Sequence, residues 1–146
     1  EHADSRGEIY SIMLPDGHEL MLIHSTPGAF RGGHSHDCGE LISVLSGEMR
    51  YHKTQLRPVH GRDNTNLTTT LSVLLAGQAS YNPSNLIHMG EFLEDSWLIE
   101  YKLAKKGEWT QTDYPPFREK VNASVKTLES RQASADPDSG QRHQLR

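Results

Sequence analysis

Two histidines and a glutamate at metal-ligand spacing lie in the segment 32–40, which reads GGHSHDCGE. On a β-strand alternate residues point to the same face, so His34 and His36 would project together, about 6.6 Å apart along the strand. Glu40 returns to that face if residues 37–39 bend without reversing the alternation. A carboxylate beside two imidazoles suits Fe(II), Mn(II), Ni(II), Co(II) or Zn(II) and leaves coordination positions for a substrate. The segment therefore indicates either a metal site or the polar residues of a loop.

The rest of the chain indicates the elements that would position these side chains. Short apolar runs recur about every ten residues between turn residues, which is typical of an antiparallel sandwich or barrel. The predicted fold class is all-β, with strands at 8–14, 19–25, 31–36, 40–45, 48–53, 67–75, 78–81, 86–93 and 96–104.

Two connecting regions depart from the strand pattern. Residues 54–66 are polar and irregular, and loops of this length are often lids or binding loops. After Pro115 and Pro116, four apolar residues at helical spacing predict a short helix that covers either the barrel or a partner subunit. These residues are Phe117, Val121, Val125 and Leu128.

The sequence also predicts a division into four parts. The tail after 131 has too little apolar content to fold by itself. The predicted parts are an N-terminal arm at 1–8, a barrel at 9–116, a helix at 117–131 and a disordered tail at 132–146.

Composition limits the classes of partner. The 15 basic and 19 acidic residues give a net charge of −4 at pH 7 and form no long block of one sign, which argues against nucleic acid. No run approaches the roughly 20 apolar residues that span a bilayer. With Cys38 as the only cysteine, no intramolecular disulfide forms. We expect small-molecule partners and a cytoplasmic location, although Glu1 in place of Met leaves N-terminal processing open.

Glycines around the histidines complete a family pattern. The segment 28–47 matches every defined position of the pattern G-x5-H-x-H-x3-E-x6-G, with Gly28, His34, His36, Glu40 and Gly47 at those positions. This spacing resembles the first cupin motif.

A second segment resembles the second cupin motif, G-x5-P-x-G-x2-H-x3-N. Gly77, Pro83 and His88 match it, whereas Asn85 replaces a glycine and Phe92 replaces the final asparagine. Asparagine tolerates the left-handed backbone conformation, so the first change need not alter the turn. Phe92 is at a position that does not bind metal.

The resemblance implies a single-domain cupin, an antiparallel β-barrel of the double-stranded β-helix or jelly-roll type with a short C-terminal helix. It implies that His34, His36, Glu40 and His88 bind one divalent metal ion. Fe(II) is favoured, with zinc, manganese, nickel or cobalt as alternatives. It also implies a homodimer, which we expect at the Trp-bearing strand and the C-terminal helix.

Tyr51 shares its strand parity with apolar Met49 and is therefore expected to point inward, as a proton donor or as a core residue. Trp97 and Trp109 are expected to pack in the outer core or at a dimer contact. The predicted function is a metal-dependent enzyme for a small oxygen-rich organic molecule, acting as a dioxygenase or as a non-redox isomerase or lyase. The alternatives are a non-catalytic sugar-binding or organic-acid-binding sensor and an interaction protein with a structural metal.

Overall fold

The computed structural model describes residues 2–57 and 66–135. These residues form eleven strands and one helix. In chain order they are β1 (His2–Asp4), β2 (Gly7–Met13), β3 (Glu19–Ser25), β4 (Phe30–His36), β5 (Glu40–Ser46), β6 (Glu48–Arg57), β7 (Asn66–Leu75), β8 (Ala79–Asn82), β9 (Ile87–Phe92), β10 (Ser96–Lys102), β11 (Gln111–Asp113) and α1 (Pro115–Ala135).

The strands form two antiparallel sheets with the orders β1-β2-β3-β10-β5-β8 and β11-β4-β9-β6-β7. Apolar side chains from both sheets pack between them, as the alternation of apolar and polar residues along the strands requires. The main core includes Ile23, Ile42, Val44, Met49, Phe92 and Leu98. This arrangement confirms the expected all-β fold.

All nine predicted strands are present, with ends that differ by a few residues. The sequence pattern missed β1 and β11, because each has three residues and no apolar alternation. The short β11 strand matters for the site, since it pairs with β4 so that Gln111 lies opposite His36 and Asp113 lies opposite His34.

The predicted loop at 54–66 is wrong at both ends. Strand β6 continues to Arg57 and β7 starts at Asn66. Thr54 is buried and its Oγ1 lies 2.8 Å from Oγ1 of Thr69, so polar residues extend the hairpin here through a cross-strand hydrogen bond. Residues 58–65 lie outside the described residues, and a lid role for them stays a prediction.

Helix α1 packs on the barrel of its own chain. Phe117 and Val121 join Ile87 and Met89 in a second apolar cluster, and the Phe30 backbone N–H donates to Ser124 Oγ at 3.2 Å. Of the two predicted roles for the helix, covering the barrel is the one observed. No helix in the described residues has the length and apolar content that a bilayer crossing needs.

The helix is longer than the predicted 117–131. It begins at Pro115 and ends at Ala135. The predicted start of the disordered tail at 132 is therefore wrong, because residues 132–135 belong to the helix. Alanine favours helix at 133 and 135, and the Ser134 hydroxyl donates to the Ser130 carbonyl at 2.9 Å. Residues 136–146 lie outside the described residues, and the remaining domain bounds stay predictions.

Two glycines of the family pattern provide a matched test of the fold. Gly47 and Gly77 have φ values of 80° and 84°, in the left-handed region. A Cβ at Gly47 would overlap Ser96 Oγ and the Asp95 carbonyl oxygen, whereas a Cβ at Gly77 would meet nothing within 4 Å.

We expect Gly77→Ala to lower the free energy of unfolding by about 1–2 kcal/mol, the cost of left-handed backbone for a residue with a Cβ. Gly47→Ala adds the steric overlap, and its expected loss is about 3–5 kcal/mol. Urea denaturation followed by circular dichroism measures both values. Equal losses in the two variants would contradict the close approach at Gly47.

Candidate metal centre

Three histidines from two adjacent strands converge at one point inside the barrel. His34 and His36 come from β4, and His88 comes from β9, where it lies directly opposite His34. One ligand nitrogen from each lies within 4.8 Å of the other two. The ring centroids are 4.7 Å apart for His34 and His36, and 5.1 Å and 5.4 Å from His88. The spacing of the two sequence motifs thus corresponds to a compact group in space.

The environment keeps these imidazoles neutral. Burial lowers the pKa of His34 to about 3, with further lowering by His88 and His36. Burial and the positive charge of Lys102 lower the pKa of His36 to about 4. Burial also lowers the pKa of His88. Since a metal ion binds the neutral imidazole, all three side chains have the protonation state of ligands at neutral pH.

The hydrogen bonding of the group fits a divalent cation. His88 Nδ1 lies 3.1 Å from the Leu86 carbonyl oxygen, so Nδ1 donates and the Nε2 lone pair is available. Nδ1 of His34 and Nδ1 of His36 are buried without a hydrogen-bond partner in the described part of the chain. Unsatisfied buried nitrogens are costly, and coordination to a metal ion would satisfy them.

Glu40 is the first residue of β5 and is fully buried next to this group. Its Oε2 lies 3.1 Å from His88 Nε2 and accepts a hydrogen bond from Asn82 Nδ2 at 2.9 Å. Its Oε1 lies 3.5 Å from His36 Nδ1 and 3.4 Å from Lys102 Nζ. The bend at 37–39 therefore returns Glu40 to the histidines, and its role as fourth ligand stays a proposal.

Glu40 belongs to a charged network with two residues of β10. Burial and the negative charge of Glu100 raise the pKa of Glu40 to about 9. Burial would raise the pKa of Glu100, but the positive charge of Lys102 and the hydrogen bond from Glu40 outweigh this effect. The pKa of Glu100 is therefore lowered to about 2. The two carboxyl groups therefore share one proton at neutral pH. A divalent cation beside Glu40 would favour the carboxylate and displace that proton.

Tyr51 points inward, as its parity predicts, and is 1% exposed. Its hydroxyl accepts a hydrogen bond from Asn82 Nδ2, the same group that donates to Glu40. Burial and the negative charge of Glu40 raise its pKa well above the ordinary value. This contact suits a residue that positions Glu40 through Asn82, and proton donation by Tyr51 stays a prediction.

A cavity of about 260 Å³ borders His34 and His36. Its lining includes Glu100, Lys102, Trp109 and Gln111, none of which was a predicted site residue. Trp109 lies at this cavity rather than in the outer core: its ring lies edge-on to His36 at 5.0 Å, and its centroid is 4.6 Å from Lys102 Nζ. A dimer contact through Trp109 stays a prediction.

The sequence contained a pattern for two of these missed residues. Glu100 and Lys102 share their parity on β10 with Leu98, which is a core residue. Alternation therefore places both charged side chains on the inner face, where a charge needs a partner or a function. Trp109 lies outside any strand, and no periodicity indicated its position.

Both departures from the second motif fit the structure. Asn85 has a φ of 66° and is the one non-glycine residue with positive φ in residues 2–57 and 66–135. It therefore adopts the conformation expected of the glycine it replaces. Phe92 is 1% exposed and packs in the main core.

No protein-family model matches the sequence, and no curated protein matches it. Solved structures do match the fold. One is the capsular polysaccharide assembling protein CapF from Staphylococcus aureus, with 21% identity and a TM-score of 0.56 over 70% of this chain and 28% of CapF. Another is hydroquinone 1,2-dioxygenase PnpCD in complex with Cd²⁺ and 4-hydroxybenzonitrile, with 15% identity and a TM-score of 0.51 over 64% of this chain and 61% of PnpCD.

A third similar structure is an uncharacterised conserved protein with a double-stranded β-helix domain from Klebsiella pneumoniae. It is 18% identical with a TM-score of 0.55, and the match covers 74% of this chain and 80% of that protein. The chain thus spans less than two thirds of CapF and of PnpCD. These similarities confirm the fold, a double-stranded β-helix. In this chain it carries a histidine group that could hold a metal ion.

Proposed function

We propose that this cupin is a metal-dependent enzyme that acts on a small, oxygen-rich organic molecule. The observation that carries the proposal is the convergence of three neutral imidazoles, two of which, His34 and His36, line a cavity. At about 260 Å³ the cavity is smaller than the roughly 300–1,000 Å³ of drug-sized ligand sites, so the substrate has few heavy atoms.

In this proposal His34, His36, His88 and Glu40 hold one divalent ion, with Fe(II) favoured over zinc, manganese, nickel or cobalt. Such an ion supplies a Lewis acid for oxygen atoms of the substrate, and iron can also support dioxygen chemistry. Asn82 orients Glu40 by donating to Oε2, and Lys102 compensates its negative charge. Trp109 and the apolar residues Ile9 and Met21 limit the water in the cavity.

Two reaction classes fit this site. A dioxygenase and a non-redox isomerase or lyase use the same set of ligands, and hydroquinone 1,2-dioxygenase among the similar structures motivates the first class. The alternative class is a sensor or carrier that binds a sugar or organic acid in the cavity without converting it.

We also expect a homodimer, by resemblance to cupins. The buried face of helix α1 cannot supply the interface, because Phe117, Val121 and Leu128 already pack against the barrel of the same chain. Trp97 stacks on His24 at 4.8 Å and remains a candidate for the dimer contact. A cytoplasmic location likewise stays a prediction.

Metal analysis of protein purified without added metal tests the proposal. We expect about one divalent ion per chain, and oxygen uptake by the iron-loaded protein with a panel of small organic acids and phenols. Tight zinc or nickel without oxygen uptake would favour the isomerase, lyase or binding classes. A protein that binds no divalent ion at micromolar concentrations would contradict the metal site itself.

A further inference from the structure

The cavity beside the histidines has more cationic than anionic side chains in its lining. Arg6, Arg31, Lys102 and Arg118 contribute to its wall, and Glu100 is the carboxylate residue in the same lining. A cavity with this excess of positive side chains favours a negatively charged occupant.

Three of the four cations already have anionic partners. Arg6 pairs with Asp4, with Nε 3.1 Å from Oδ1, and Arg118 Nε lies 3.7 Å from Asp113 Oδ2. Lys102 contacts Glu100 and lies 3.4 Å from Glu40 Oε1. Arg31 is the fourth cation, and its charge needs a different explanation.

Arg31 forms no ion pair with any carboxylate of residues 2–57 and 66–135, although it is only 8% exposed. Its Nε donates to Ser25 Oγ and its Nη2 donates to the His24 carbonyl oxygen, both at 2.8 Å. These neutral acceptors fix the orientation of the guanidinium and leave Nη1 without a protein partner among the described residues. The charges of Asp4 and Glu100 act on this guanidinium, but neither carboxylate forms an ion pair with it. A buried guanidinium is costly without a direct counter-ion, so this arrangement favours an anion from outside the chain.

A β-bulge places Arg31 on the same face as the histidines. Residues three apart on a regular strand point to opposite faces. In β4, however, Gly32 lies opposite Met89 and His34 lies opposite His88, so Gly33 is an extra residue in the ladder. Gly32 and Gly33 both have positive φ, at 87° and 85°. The bulge turns Arg31 inward, and Arg31 and His34 line one cavity.

We propose that Arg31 anchors the carboxylate of the substrate, which is a small organic acid with a short apolar part. The planar guanidinium suits a carboxylate, and Ile9, Met21 and Ile23 in the cavity wall suit a short carbon chain. This inference rests on the proposed function, in which the substrate also binds through an oxygen atom at the histidine group. The anion site at Arg31 does not itself require a metal ion.

The test compares the affinity of the full chain for a carboxylate with its affinity for the corresponding neutral amide. The probe is 2-hydroxybutyrate, 2-hydroxybutyramide is its uncharged match, and binding is measured by calorimetry before and after chelator treatment. We expect the carboxylate to bind at least about 10-fold more tightly than the amide, in both preparations, because a hydrogen bond to a charged group is lost in the amide.

Arg31→Met should abolish this preference, and Arg31→Lys should reduce it, since lysine keeps the charge without the planar pair of donors. Arg50→Met is the matched control, because Arg50 is partly exposed beside Glu91 and does not line the cavity. The control should retain the wild-type preference.

Equal binding of acid and amide by the wild-type protein would overturn the inference without any variant. An unchanged carboxylate preference in Arg31→Lys and Arg31→Met would overturn it as well, as would tighter binding of inorganic phosphate or sulfate than of the carboxylate. If no metal binds but the chelator-treated protein keeps an Arg31-dependent preference, the proposed enzyme fails and the carboxylate site stands.

Discussion

Replacing His88 by alanine is expected to remove the bound metal ion almost completely. His88 is the one histidine of the group that comes from β9, and its Nδ1 bond to the Leu86 carbonyl aims Nε2 at the other two rings. Loss of an outer-shell partner typically costs 10–100-fold in metal affinity, and loss of a direct ligand should cost more. We therefore expect the affinity for Zn²⁺ to fall by at least about 100-fold.

Competition with a chromophoric chelator measures this change, and circular dichroism checks that the variant is folded. His52→Ala is the matched control, because His52 is also a strand histidine, half-buried, but lies 3.2 Å from Glu91 Oε2 outside the group. The control should bind Zn²⁺ with wild-type affinity. Zn²⁺ binding of wild-type strength by His88→Ala would contradict the assignment of the three histidines as ligands.

Much of the histidine group could be predicted from sequence because strand alternation and motif spacing are short-range rules. His34 and His36 are two residues apart on one strand, and alternation alone places them together. His88 could be assigned only by resemblance to a family pattern, because no local rule pairs β4 with β9. The structure brings all three together as that resemblance implied.

The cavity wall could not be predicted in the same way, because it depends on irregular backbone. Parity along β4 places Arg31 on the face opposite His34, and the bulge at Gly33 reverses this result. Trp109 reaches the cavity from a segment outside any strand. Residues of this kind give the cavity its charge and shape. The fold was therefore predictable from the sequence, whereas the proposed substrate class rests on features that only the structure shows.

Metal binding at neutral pH is expected to release about one proton, and Glu40 is its source. The pKa of Glu40 is about 9, whereas the pKa values of His34 and His36 are about 3 and 4. At pH 7 the histidines are therefore already deprotonated, and the pair formed by Glu40 and Glu100 still holds one proton. A cation that binds Glu40 must displace that proton.

The pH dependence of Zn²⁺ binding follows from these pKa shifts. Between about pH 5 and pH 8 the logarithm of the Zn²⁺ association constant should rise by about one per pH unit, because one proton is displaced. Three exposed histidines with ordinary pKa values near 6.5 would give a slope that steepens towards about three below that pH and flattens above it. Calorimetric titrations in two buffers with different ionisation enthalpies give the proton count directly.

Glu40→Gln removes the proton source while it keeps the shape of the side chain. We expect proton release to fall to about zero and Zn²⁺ affinity at pH 7 to fall by at least about 10-fold, because a neutral amide replaces an anionic ligand. Glu129→Gln, on the exposed face of helix α1, is the matched control and should release the wild-type number of protons. Unchanged proton release in Glu40→Gln would place the displaced proton elsewhere and remove Glu40 from the ligand set.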